Sequence, residues 1–236
     1  MLVDLKTILS GTREGGYAVG LFNCVTLEMT RGIIAAAEEL RSPVIIGPGE
    51  SLLPGASLPD YADMMLGIAR RASVPVAVHF DHGFTPELVE EAISLGFTSV
   101  MYDCSMLPFE ENVELTREVV KYAHARGVSV EGELGVLAGV EDHVFSSTST
   151  YTNPLKAVEF FKKTKCDALA ISYGTCHGAN KGKDTKIRRE IAIATKECML
   201  HEGIEGYLVS HGSSTVPQEY VQGINALGGQ LENAFG

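Results

Sequence analysis

Three dipeptides carry the chemistry of this chain: His82-Gly83, His177-Gly178 and His211-Gly212. Each histidine follows a short apolar run. The glycine after it has no Cβ, so backbone can approach a bound group closely. Three imidazoles around one open position are the ligand set of a catalytic zinc. Asp81 stands directly before His82, and Asp103 and Glu133 end two further apolar runs, adding three carboxylates to the set. Such groups can move protons, orient a ligating imidazole, or offer the metal an alternative position. Each residue alone has a plainer reading. A histidine at a strand end is often only half-buried, and an aspartate there often caps the next helix. Repetition of one pattern by three of the seven histidines is what favours the metal. His124 and His201 fall on predicted helices and His143 in a loop, where they read as solvated. His79 shares the face of Asp81 by strand alternation and orients it; Glu131 shares a face with Glu133 and reads as its hydrogen-bonded neighbour.

Residues so far apart meet only if the fold gathers strand ends. Residues 74–83 form an unbroken apolar run that stops on ionisable side chains, the pattern of a buried parallel strand with its chemistry at the carboxyl end. Similar runs at 17–23, 43–47, 98–103, 128–133, 168–174 and 206–211 alternate with helical patterns at 27–40, 60–71, 86–95, 108–126, 153–163, 187–201 and 217–227. A short helix at 2–9 opens the chain, and a long loop fills 134–153. Strands alternating with helices in one series, without a linker, predict a single α/β domain over 1–236: a (β/α)8 TIM barrel lacking its eighth strand and C-terminal helices. No G-x-G-x-x-G follows the first strand, which argues against a dinucleotide-binding sheet.

Composition narrows the partners. The chain has 236 residues, 45% of them apolar and 21% charged, with a net charge of -11. An acidic surface repels phosphate backbones, so a nucleic acid is excluded as partner. The N-terminus lacks a charged-then-apolar signal, and no run is long enough to cross a membrane. The cysteines are odd in number, scattered and without a C-x-x-C, which points to reduced thiols and a cytoplasmic location.

With these residues placed, the chain resembles the class II, metal-dependent ketose-bisphosphate aldolases. The motifs that carry the resemblance are His79-Phe80-Asp81-His82-Gly83, Ser99-Val100-Met101-Tyr102-Asp103, Glu131-Gly132-Glu133-Leu134-Gly135 and Gly139-Val140-Glu141-Asp142. Gly174-Thr175-Cys176-His177-Gly178 and Ser210-His211-Gly212-Ser213-Ser214 complete them, in family order along the chain. The resemblance implies Zn2+ on His82, His177 and His211, with Asp103 and Glu133 for a second divalent, a monovalent or a resting-state cation. It implies that Asp81 exchanges the proton of the hydroxyl that becomes the aldehyde, and that Glu141 protonates or deprotonates the dihydroxyacetone phosphate carbon. Asn23, Gly178, Lys181, Gly212, Ser213 and Ser214 match contacts to the triose phosphate. The reaction implied is cleavage of fructose 1,6-bisphosphate to dihydroxyacetone phosphate and glyceraldehyde 3-phosphate through a metal-stabilised enediolate, with tagatose 1,6-bisphosphate the alternative sugar.

The rival aldolase route needs a lysine buried for a Schiff base, and no lysine falls inside a predicted strand. Cys176 departs from the serine common before this histidine. The family's last strand, with an Asn-Ile-Asp-Thr-type motif, and its terminal helices are not found before Gly236. The chain then reads as a fragment whose completed form is a homodimer or homotetramer, or as a truncated non-catalytic metal-binding paralogue. A zinc hydrolase is a weaker reading, because Phe22-Asn23 stands where such barrels place an H-x-H pair.

Overall fold

A computed structural model describes residues 1–135, 138–141, 144–146, 151–177, 187–212 and 218–226; only the backbone is described for 138–141, 144–146, 176, 177, 218 and 224. The strands in chain order are β1 (Leu21–Asn23), β2 (Val44–Gly47), β3 (Val76–Gly83), β4 (Ser99–Tyr102), β5 (Ser129–Leu134), β6 (Ala138–Glu141), β7 (Val144–Ser146), β8 (Ala168–Ile171), β9 (Cys176–His177) and β10 (Tyr207–Val209). The helices are α1 (Leu5–Leu9), α2 (Thr12–Gly15), α3 (Leu27–Leu40), α4 (Leu58–Arg71), α5 (Pro86–Leu95), α6 (Phe109–His124), α7 (Pro154–Thr164), α8 (Arg189–His201) and α9 (Gln218–Ala226).

Seven strands form one parallel sheet in the order β1-β2-β3-β4-β5-β8-β10. Helices α3 to α8 fill the connections, so the sheet is the α/β half-barrel expected from the alternating runs. Start signals are local. Thr26 accepts from the Met29 amide ahead of α3, Ser57 and Asp60 make a reciprocal cap ahead of α4, and Pro86 and Pro154 each stand at the start of a helix.

Side-chain alternation sorts the strands into two faces. Val76, Val78, Phe80, Val100 and Val130 pack outward against the helices in the main core. Ala77 points inward, where it meets Ile45, Ala168 and the side chains of Leu5 and Ile8 from α1. Helix α1 thus closes the amino end of the half-barrel. The Met1 amino group ties it down by donating to the carbonyls of Ala72 and Val74. The outermost strands β1 and β10 line opposite walls of one cleft of ≈ 950 Å³, with Asp81 and Glu131 also on its wall. Among the described residues, no helix is long and apolar enough to cross a membrane.

Two departures from the sequence reading concern the mouth. The long loop after β5 contains the hairpin β6–β7, and β6 also pairs in parallel with β9 through Gly139 and His177. His177 therefore lies on a small separate sheet rather than on the end of β8.

Strand β2 approaches β3 so closely that a Cβ on Gly47 would fall 1.7 Å from the backbone oxygen of His79. Backbone cannot yield as a side-chain tip can. Gly47→Ala is expected to cost about 3 kcal/mol, the upper end of overpacking, and to lower the melting temperature by roughly 6–12 °C in thermal denaturation. An unchanged melting temperature would contradict this register.

Candidate metal centre

Strand β3 delivers most of the site, and all eight of its residues are buried. Regular alternation would send His79 and Asp81 inward but His82 outward. The strand avoids that outcome with an extra residue. Its pairing with β4 runs Phe80↔Val100 and then Gly83↔Tyr102, so three steps on β3 oppose two on β4. His82 takes up the irregularity with φ 44, a left-handed conformation rare for a side chain of this size. Asp81 and His82 consequently both reach the interior. Such strain persists only where surrounding contacts fix it, and here those contacts are polar.

His82 Nδ1 lies 3.0 Å from Asp103 Oδ2. His211, just past β10, has Nε2 2.9 Å from Glu131 Oε1. A carboxylate accepts and does not donate, so each neutral imidazole spends its single N–H on its carboxylate. The remaining nitrogens, His82 Nε2 and His211 Nδ1, then face each other 3.0 Å apart, each with a lone pair. That arrangement is repulsive unless a proton or a metal cation lies between them. Asp81 Oδ1 is 4.0 Å from His82 Nε2 and is buried without a hydrogen-bond partner among the described residues, so a negative charge borders the same space. Among the described residues, two groups could each hold a metal, Asp81-His82-His211 and His82-Asp103-Glu133, their ligand atoms within 4.8 Å of one another. His82 belongs to both. The donors thus fit a divalent cation, and a carboxylate behind each ligating ring is the usual support for one.

Charges follow the same geometry. Burial pushes the Asp81 carboxyl up, but the His82, His211 and His79 imidazoles and the Asn23 amide outweigh it and hold the group below its ordinary value. Asn23 Nδ2 donates to Asp81 Oδ2 at 3.0 Å. Asp103 is likewise lowered despite burial, by His82 and then by Ser105, whose amide donates to Oδ1 at 2.9 Å. Burial holds His79 below its ordinary value, against the pull of Glu131 and Asp81. Its Nδ1 meets Ser99 Oγ at 2.8 Å, and its Nε2 is 3.9 Å from both Asp81 Oδ1 and Glu131 Oε2.

Of the residues singled out in the sequence, His82, His211, Asp81, Asp103, Glu133 and Asn23 converge on this space, and the Gly212 backbone continues from His211. Asp81 does not cap the following helix; Thr85 holds that position. Gly178, Lys181, Ser213 and Ser214 lie outside the described residues, and so do the side chains of Glu141 and His177. Outside the site, His201 is exposed and the partly exposed His124 lies 2.8 Å from Asp167. Glu131 is the residue whose part the sequence concealed. It serves His211 across the interior, not its neighbour Glu133. Its inward face was legible from alternation with Glu133, but its partner was not.

Comparison with known proteins gives the family. The family model for class-II fructose-bisphosphate aldolase matches residues 3–231. A fructose-bisphosphate aldolase of Thermus caldophilus is 44% identical over 240 residues, covering 100% of this chain and 76% of the relative. One from Geobacillus stearothermophilus is 43% identical over 231 residues, 96% of this chain and 78% of the relative. Among solved structures, the YdjI aldolase of Escherichia coli K12 superposes with a TM-score of 0.81 at 34% identity, covering 94% of this chain and 77% of that one. The half-barrel, the paired histidines and these relatives agree: the chain belongs to the class II fructose-bisphosphate aldolase family of lyases.

Proposed function

We propose that the chain cleaves and forms a ketose 1,6-bisphosphate at a zinc centre, with fructose 1,6-bisphosphate the substrate and tagatose 1,6-bisphosphate the alternative. The observation that carries the reading is the 3.0 Å approach of His82 Nε2 to His211 Nδ1, each on a ring turned by a carboxylate. His82 and His211 hold the cation, and His177 joins them on the strength of its motif. Asp103 and Glu133 stand behind His82, where they orient it or take the cation at rest. When bound, the metal supplies Lewis acidity to the carbonyl beside the breaking bond.

The chain's own groups do the rest. Asp81, aimed by Asn23, takes the proton from the hydroxyl that becomes the aldehyde. Glu141 returns a proton to the dihydroxyacetone phosphate carbon, and removes it in the condensation direction. Lys181 and the residues Gly178, Gly212, Ser213 and Ser214 meet the phosphate. Local donors are required there, because a chain of net charge -11 has no general attraction for a dianion. The names of the relatives from Thermus caldophilus and Giardia intestinalis, both fructose-bisphosphate aldolases, support the choice of sugar.

The test is chelation and reloading with each sugar in turn. Aldol cleavage is expected to disappear on dialysis against a chelator and to return with Zn2+, faster for the fructose than for the tagatose ester. Cleavage that survives complete metal removal would overturn the reading.

A further inference from the structure

We propose that Glu131 is a positioning residue for His211: it fixes which nitrogen of the ring carries the proton. This deepens, and rests on, the metal-centre reading.

Of His82 and His211, the second stands past the shorter strand. It follows β10, a strand of three half-buried residues at the end of the sheet order. Within the seven-stranded sheet β10 pairs with β8 alone, and His211 and Val209 line the cleft on the other side. His82, by contrast, sits on a fully buried inner strand.

Glu131 reaches His211 from the interior of the sheet. It lies on β5, flanked by β4 and β8, and is 2% exposed. Its Oε1 accepts from His211 Nε2 at 2.9 Å across 80 residues of sequence. Its Oε2 faces the buried His79 at 3.9 Å, so the carboxylate is boxed in by rings on two sides. Acceptance by Glu131 puts the His211 proton on Nε2 and the lone pair on Nδ1, the atom that faces His82. With the other tautomer, Nδ1–H would point at His82 Nε2 and no metal could bridge them. A carboxylate at this place therefore decides whether the two rings present a cation site or a hydrogen bond to each other.

The experiment reads the tautomer directly. Long-range proton–nitrogen correlation spectra of the metal-free, 15N-labelled protein are expected to show His211 protonated on Nε2, with the assignment made by loss of the signals in His211→Asn. In Glu131→Gln, whose amide can accept or donate, His211 is expected to lose its single tautomer. Zn2+ affinity, measured by competition with a chromophoric chelator, is expected to fall 10–100-fold, the usual effect of removing an outer partner of a metal-bound histidine. A merely structural role would lower the melting temperature without changing the tautomer. The proposal is overturned if His211 carries its proton on Nδ1, or if Glu131→Gln keeps the Nε2 proton and the wild-type Zn2+ affinity. Should the variant not fold, the wild-type spectrum alone decides. Failure of the wild-type chain to bind Zn2+ would overturn the metal centre, while the spectrum would still judge Glu131.

Discussion

His82→Ala is expected to abolish high-affinity metal binding and to lower the rate of aldol cleavage by about three orders of magnitude, at the top of the range for removing a preorganised electrostatic group. The reason is its double membership. His82 belongs both to the group with Asp81 and His211 and to the group with Asp103 and Glu133, so no candidate position for the cation survives its loss intact. The substitution also leaves Asp103 without its 3.0 Å partner, and alanine still carries a Cβ in the left-handed backbone at position 82. The fold is therefore expected to lose stability as well as metal. Metal content by elemental analysis after desalting, beside a cleavage assay, reads binding and rate. His201→Ala, at an exposed position on α8, should match wild type in both. A His82→Ala protein that retains one equivalent of metal would contradict the assignment.

Asp81→Asn is the second large effect, and it is expected to dissociate what His82→Ala joins. The amide has the shape of the carboxylate and keeps a contact to Asn23, so metal content should remain. Turnover should fall about 10²- to 10⁴-fold, the usual contribution of a positioned acid/base group. The pH dependence carries the same assignment. Against burial, the His82, His211 and His79 rings and the Asn23 amide hold the Asp81 carboxyl below its ordinary 3.8, so the group is ionised throughout the neutral range. A depressed carboxylate stabilises the fold above its unfolded pKa, and that contribution is lost as pH falls through the lower folded value. Acid denaturation of Asp81→Asn should accordingly lack part of the wild-type loss of stability below about pH 4. Loss of metal together with activity would instead make Asp81 a ligand.

Much of this architecture was legible because buried parallel strands advertise themselves as continuous apolar runs. Residues 74–83, 98–103 and 128–133 stand out for that reason; the structure places β3 and β4 within the first two, and β5 starts in the third and runs one residue past it. The helix bounds of α3 and α5 coincide with the predicted 27–40 and 86–95, since Thr26 and Pro86 are strong start signals. The metal-capable residues were legible as types at strand ends.

Three features were not. A side-chain period of two cannot place Asp81 and His82 on one face; the extra residue opposite Val100–Tyr102 does, and nothing local at Phe80-Asp81-His82-Gly83 announces it. The bond between Glu131 and His211 spans 80 residues, so only the closed geometry of the half-barrel reveals it. The strands β6, β7 and β9 are short, at most four residues, too short for a side-chain period to show.

The most direct test of the account is a crystal structure of the protein loaded with Zn2+, with data collected on both sides of the zinc absorption edge. An anomalous peak is expected, bonded to His82 Nε2 and His211 Nδ1 at ~2.0–2.1 Å from each, with Asp103 and Glu131 still on the far nitrogens. Two imidazoles left hydrogen-bonded to each other, with no peak between them at saturating Zn2+, would contradict it.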